Sequence, residues 1–167
     1  MSSALQIAVA ASLAGFYTKE SVGAVSDTLS VKPVINFSTG AGQFEADAVY
    51  TEAINIASEG SANRVLSALT DPLGQSINLL RVKAILITAD ASNTNDLVLA
   101  PGGSNPFNGP GGTSSYMTVK PGGFAVWACP GATGFPVAAG DNDTIQLVND
   151  GSGSAVTGTL VIVGATE

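Results

Sequence analysis

An all-β fold is predicted by three features of the chain. Short runs of alternating apolar residues recur about every 8–12 residues. Clusters of Gly, Pro, Asn, Asp and Ser punctuate them, and no segment carries a 3.6-residue apolar period. The expected architecture is a jelly-roll-like β-sandwich preceded by an N-terminal strand or arm. Residues 1–45 form the arm or outer strands, and residues 46–167 the sandwich domain. A chain of 167 residues can bury a core of its own without a staple.

The N-terminal stretch MSSALQIAVAASLAGF has the outline of a signal peptide. It lacks a positive n-region, however, and Gln6 interrupts the apolar run. Leu5, Ile7, Val9, Ala11 and Leu13 instead keep the strand period, which predicts a strand or extended arm. A second run follows at 29–37, with Leu29, Val31, Ile35 and Phe37 on one face. Pro33 sits inside it and cannot donate to a ladder, so the run is expected at an edge or paired with another chain.

Residues 49–56 (VYTEAINI) read as a strand, and 63–69 as a weaker one. Asp71-Pro72 with Gly74 marks a turn. Residues 81–89 (RVKAILITA) alternate at first and then become apolar on both faces, the pattern of a central strand covered on both sides. After the polar turn DASNTND come Leu97 and Leu99 on a short strand, then the loop 101–113. That loop is too long for a simple hairpin. Strands are further expected at 116–120, 124–129, 144–148 and 155–164, the last two joined by a turn at 149–154. Ile85, Ile87, Val126, Trp127, Leu147, Leu160 and Ile162 form the expected core.

The residue inventory argues against catalysis. There is no histidine, so the commonest general base, metal ligand and pH switch are all lacking. The lone Cys129 has no His partner and no cation nearby in sequence, which predicts a small apolar filler. Asp141 and Asp143 could share a calcium ion, but Gly-Asp-Asn-Asp is also an ordinary turn. The Asn- and Asp-rich segment 90–96 fits no calcium-loop spacing. None of the glycines forms a phosphate loop. No cofactor or metal site is expected.

A net charge of −7 with only six cations leaves no stripe able to track a phosphate backbone, so nucleic acid is not an expected partner. No run reaches the roughly 18 apolar residues of a membrane span. Only 11% of the residues are charged, which suggests that partners cover part of the surface. Phe107, an apolar ring in a polar loop, either plugs its own core or docks on a neighbour. The expected partner-binding residues are Leu5, Ile7, Val9, Pro33 and Phe107.

The stretches 68–107 (ALTDPLGQSINLLRVKAILITADASNTNDLVLAPGGSNPF), 119–156 (VKPGGFAVWACPGATGFPVAAGDNDTIQLVNDGSGSAV) and the closing TLVIVGA resemble small all-β virion proteins of tailed bacteriophages, of the capsid decoration (cement) type. The resemblance covers about the last hundred residues and carries no catalytic signature. It implies a viral structural protein on the outer surface of the phage head, made in the host cytoplasm. Such a protein forms a homo-oligomer, a trimer by preference, and binds the major capsid protein. The alternative is a tail-fibre or receptor-binding module of the virion.

Overall fold

The computed structural model describes residues 4–20, 24–71, 73–114 and 117–167, with backbone alone at 16–20 and 24–27. Among the described residues every regular element is a strand. In chain order they are β1 (Gln6–Ala10), β2 (Leu13–Glu20), β3 (Ala24–Val31), β4 (Val34–Thr39), β5 (Glu45–Ala46), β6 (Ala48–Ile56), β7 (Ser61–Val65) and β8 (Leu69–Thr70). Then follow β9 (Ser76–Ile77), β10 (Arg81–Ala89), β11 (Leu97–Pro101), β12 (Met117–Val119), β13 (Phe124–Ala128), β14 (Phe135–Pro136), β15 (Thr144–Asn149) and β16 (Val156–Ala165). Pro72 and Tyr116, assigned above to a turn and a strand, lie outside the described residues.

Two antiparallel sheets form the sandwich. One runs β13–β10–β16–β6, with short β14 also against β10, and the other runs β12–β11–β15–β7. Apart from the short strands, the chain crosses from sheet to sheet at each step except between β11 and β12. That order matches the winding of a jelly roll, in which two Greek keys fold over each other.

The core follows from strand alternation. Ile54, Ile56, Ile85, Ile87, Leu160 and Ile162 of the first sheet meet Leu97, Val119, Ile145 and Leu147 of the second in one cluster. Trp127 packs against it, half-buried. Val126 corrects the expected list. β13 pairs with β10 so that Trp127 lies opposite Ile85 and Ala125 opposite Ile87, while Val126 lies opposite Leu86 on the outer face. Two adjacent strand residues cannot both face one core.

The N-terminal residues fold back as a β-ribbon. β1 pairs with β4, and β2 with β3, all antiparallel. Ala10 opposite Val34 and Leu13 opposite Val31 belong to one register, so the two ladders are a single long hairpin with a break in it. The break falls at Pro33. The Ala11 N–H still donates to the Pro33 carbonyl at 3.2 Å, but proline has no N–H to return the bond. Neither expected run is therefore one strand: 5–13 divides into β1 and the start of β2, and 29–37 into the end of β3 and β4. Pro33 lies between strands, not within one.

A buried cation fastens the ribbon's base. Lys83 is fully buried where the β10–β16 register shifts between Val82 and Ala84. Its Nζ donates to the carbonyls of Gly42 (3.0 Å), Gly131 (2.5 Å) and Ala132 (2.9 Å). Burial, then the nearby Arg81 charge, holds its pKa below the usual lysine value. Three carbonyl dipoles satisfy all three ammonium protons, so the buried charge is solvated by the backbone without a carboxylate.

Candidate assembly surface

The ribbon carries one continuous apolar stripe. Odd-numbered positions share a face along both ladders. At the base, Leu5, Ile7, Val9, Ile35 and Phe37 pack onto the outer face of the molecule's own sandwich, against Ala84, Ala128 and Val163. Beyond the Pro33 break the same face continues as Leu13, Leu29 and Val31. These are 64%, 52% and 50% exposed. Val34, at the break, is also exposed. β2 and β3 have eight residues each and pair only with one another, a reach of roughly 25 Å. An isolated two-stranded ribbon is marginal in water, and this one leaves Leu13, Leu29 and Val31 uncovered.

The sheet beneath the base offers a matching surface. Beyond the positions that the ribbon covers, outward positions of this sheet are Thr51, Ala53 and Asn55 on β6, Leu86 and Thr88 on β10, Phe124 and Val126 on β13, and Thr159 and Val161 on β16. All are exposed or half-buried, and none is charged. Phe124 is 66% exposed. Glu52 and Tyr50 alternate to the opposite face. There Glu52 takes bonds from the Arg64 guanidinium, Nε at 2.6 Å, and from the Tyr50 hydroxyl at 2.6 Å, closing the β6–β7 edge. Burial alone would raise the Glu52 pKa, but the Arg64 and Tyr50 bonds and the Arg64 charge bring it below the usual carboxylate value. Burial and the neighbouring Glu52 push Tyr50 up to about 12.

The expected partner residues separate accordingly. Leu5, Ile7 and Val9 are half-buried on their own sandwich. Pro33 is exposed at the break. Phe107 is not available to a partner: it is only 3% exposed, lies in the core cluster and meets Phe135 edge-to-face at 6.5 Å. The loop holding it is sewn to β15. Phe107 N–H and Gly102 N–H both donate to the Thr144 carbonyl, at 2.9 and 3.0 Å, and Asp143 and Thr144 N–H donate to Asn105 O. Gly109 lets the chain cross the ring, since a Cβ there would lie 2.6 Å from Phe107 Cε1.

The polar turns are occupied with structure. Asp143 is buried and accepts bonds from Ser67 Oγ (2.7 Å), Gly140 N (2.9 Å) and Thr144 Oγ1 (3.0 Å). Burial acts to raise its pKa, but those donors outweigh it and hold the carboxyl low. Asp141 is exposed. In segment 90–96, Asn93 exchanges bonds with the Thr157 backbone at 2.7 and 2.9 Å, and Asn95 Nδ2 reaches Asn149 Oδ1 and Ser154 O. Among the described residues no group of three metal-ligating side chains converges. Cys129 is half-buried beside Lys83, whose carbonyl accepts its N–H at 2.7 Å.

Two features escaped the sequence reading. The Lys83 clamp left no signal in the chain, because a lysine's burial cannot be read from its neighbours. The tip's second strand was hidden by Ser and Asp among its apolar residues. The equal spacing of Leu13 and Val31 about position 22 was the available signal.

Comparison of the chain with known family models, with curated proteins and with solved structures finds no match. Among the described residues no helix is long and apolar enough to cross a membrane.

Proposed function

We propose that this protein is a non-catalytic virion component that decorates and stabilises the head of a tailed bacteriophage. It sits on the outer surface and bridges major capsid protein subunits as a homo-oligomer, most simply a trimer. The observation that carries the reading is the β2–β3 tip: an apolar face presented beyond the sandwich, continuous with one that is already docked. The charge-free outer sheet supports it as the receiving surface for a neighbouring copy's tip, because threonines and apolar side chains there match the apolar Leu13, Leu29 and Val31. A tip seated on a neighbour links copies in a ring, and binding that favours the assembled shell stabilises the shell by mass action. The jelly-roll strand order adds support, since capsid domains commonly use it.

The test is to count the protein in purified particles and to repeat the count with residues 13–31 replaced by a short glycine-serine turn. Hundreds of full-length copies per particle, with the shortened protein folded but absent, is the expected result. A count of about a dozen or fewer moves the assignment to the tail. Normal incorporation of the shortened protein removes the arm from the argument. The receptor-binding alternative draws on a different observation, an apolar pocket under loop 102–113. Its mark would be lost adsorption to cells with head decoration intact.

A further inference from the structure

The two long sides of the sandwich are closed differently. The β6–β7 side carries the Tyr50–Glu52–Arg64 cluster. The opposite side, between edge strands β12 and β13, holds a cavity of about 210 Å³ between the sheets. Its floor is Ile85, Phe107 and Ile145, its walls are Leu99, Met117 and Trp127, and its roof is the turn 109–112. Every lining side chain among the described residues is apolar apart from the Trp127 indole N–H, and the remaining polar groups are backbone.

We infer that this cavity is a binding site for a compact, neutral, apolar molecule: one aromatic ring or an alkyl group of similar size. Three observations carry this. The volume exceeds the roughly 150 Å³ of an enclosed Leu, Ile and Phe cavity that takes up benzene, so one ring fits in this open-mouthed pocket. The lining offers nothing to a charge, which would enter at a heavy desolvation cost. The roof is also fixed in place, with Gly109 resting on the Phe107 ring at one end of the turn. Phe107 N–H is tied to Thr144 O at 2.9 Å, Asn108 N–H to Asn142 Oδ1, and Gly112 N–H to Gly109 O at 3.0 Å. The turn therefore cannot sink to fill the void, and the lining atoms lack dispersion partners until a guest supplies them. Apart from Pro110, the turn brings no side chain to the mouth, and Gly109, Gly111 and Gly112 expose backbone groups that suit a guest with one hydroxyl at its rim.

The site contains its own reporter, because Trp127 is the chain's sole tryptophan. Toluene titrated into the whole protein should produce a saturable change in tryptophan emission and a concentration-dependent rise in the unfolding midpoint. Leu99→Phe, and independently Met117→Phe on the edge strand, fill the cavity and should each weaken binding at least about tenfold while leaving circular dichroism unchanged. A response that stays linear in toluene without saturating, or equal affinity in both folded variants, overturns the inference. It does not depend on the virion role, since a pocket that binds or fails to bind toluene leaves the particle count unaffected.

Discussion

The base and the tip of the N-terminal ribbon follow one residue pattern and have different surroundings. At the base, Ile7 opposite Phe37 and Val9 opposite Ile35 lie against the sandwich, and Phe37 is 2% exposed. At the tip, Leu13 opposite Val31 presents the same face at 64% and 50% exposure. Next to Pro33 the pattern is the same on both sides, and only further out do Gly15, Lys19 and Asp27 interrupt it. The difference lies in what stands beneath. Strand alternation thus specifies that a face seeks cover, but not which molecule supplies it.

The largest effect that separates buried from uncovered apolar residues is expected at Leu160, fully buried in the sandwich. Leu160→Ala should cost about 2–5 kcal/mol, read as a lowered denaturant midpoint. Lys83→Met should come next, at about 1–3 kcal/mol, since three carbonyls lose their donor. Its mark is local: protease cleavage and hydrogen exchange should rise first in loop 40–44. Equal loosening of the whole sandwich would mean that the base and the core unfold as one unit.

Acid gives an intermediate effect. Glu52 and Asp143 both have folded-state pKa values below their ordinary ones. Their contribution is therefore fully present above the unfolded-state value, about 4, and is lost as pH falls through the folded values. Denaturation midpoints should hold from pH 7 to about 5 and decline below about 4. Glu52→Gln should lower stability at pH 7 and flatten the decline, and an unchanged slope would show that the acid response arises elsewhere.

The smallest change in stability, with the largest change in assembly, is expected at the tip. Replacing Leu13, Leu29 and Val31 together by serine should alter the monomer's unfolding free energy by no more than about 0.5 kcal/mol, while abolishing self-association in sedimentation. A loss of several kcal/mol would mean that the tip packs on its own chain. Association should survive chelator and weaken only mildly with salt, because Leu13, Leu29, Val31 and the outer-sheet positions named above are uncharged. Strong loss in EDTA would direct attention to the acidic turns.

Much of the sandwich was legible from the chain. Residues 81–89 read as a strand covered on both faces, and its first half is: Ile85 and Ile87 face the core and Ala84 lies under the ribbon, while Leu86 and Thr88 are half-buried on the outer face. Phe107 was readable only as a choice between core and partner. The choice depends on the Thr144 carbonyl, which lies 37 positions away and which no local pattern connects to the loop. Val126 was misplaced because FAVWA is apolar throughout, so period alone could not say which alternate set turns inward. The assembly stripe was half visible. Leu5, Ile7 and Val9 stood out by alternation, yet the uncovered residues are the next ones along.

The Lys83 clamp also bears on how tension travels. A pull on the tip runs down the paired β1 and β4 and leaves the ribbon through loop 40–44. That load reaches the sandwich along the covalent path into β6 and through Phe44 N–H, which donates to the Pro130 carbonyl at 2.8 Å. Bonded to Gly42 on one side and to Gly131 and Ala132 on the other, Lys83 divides it between central β10 and the segment after β13. The ribbon is thus moored at several strands, and strain applied at the tip is spread through the sheet before any single strand must yield.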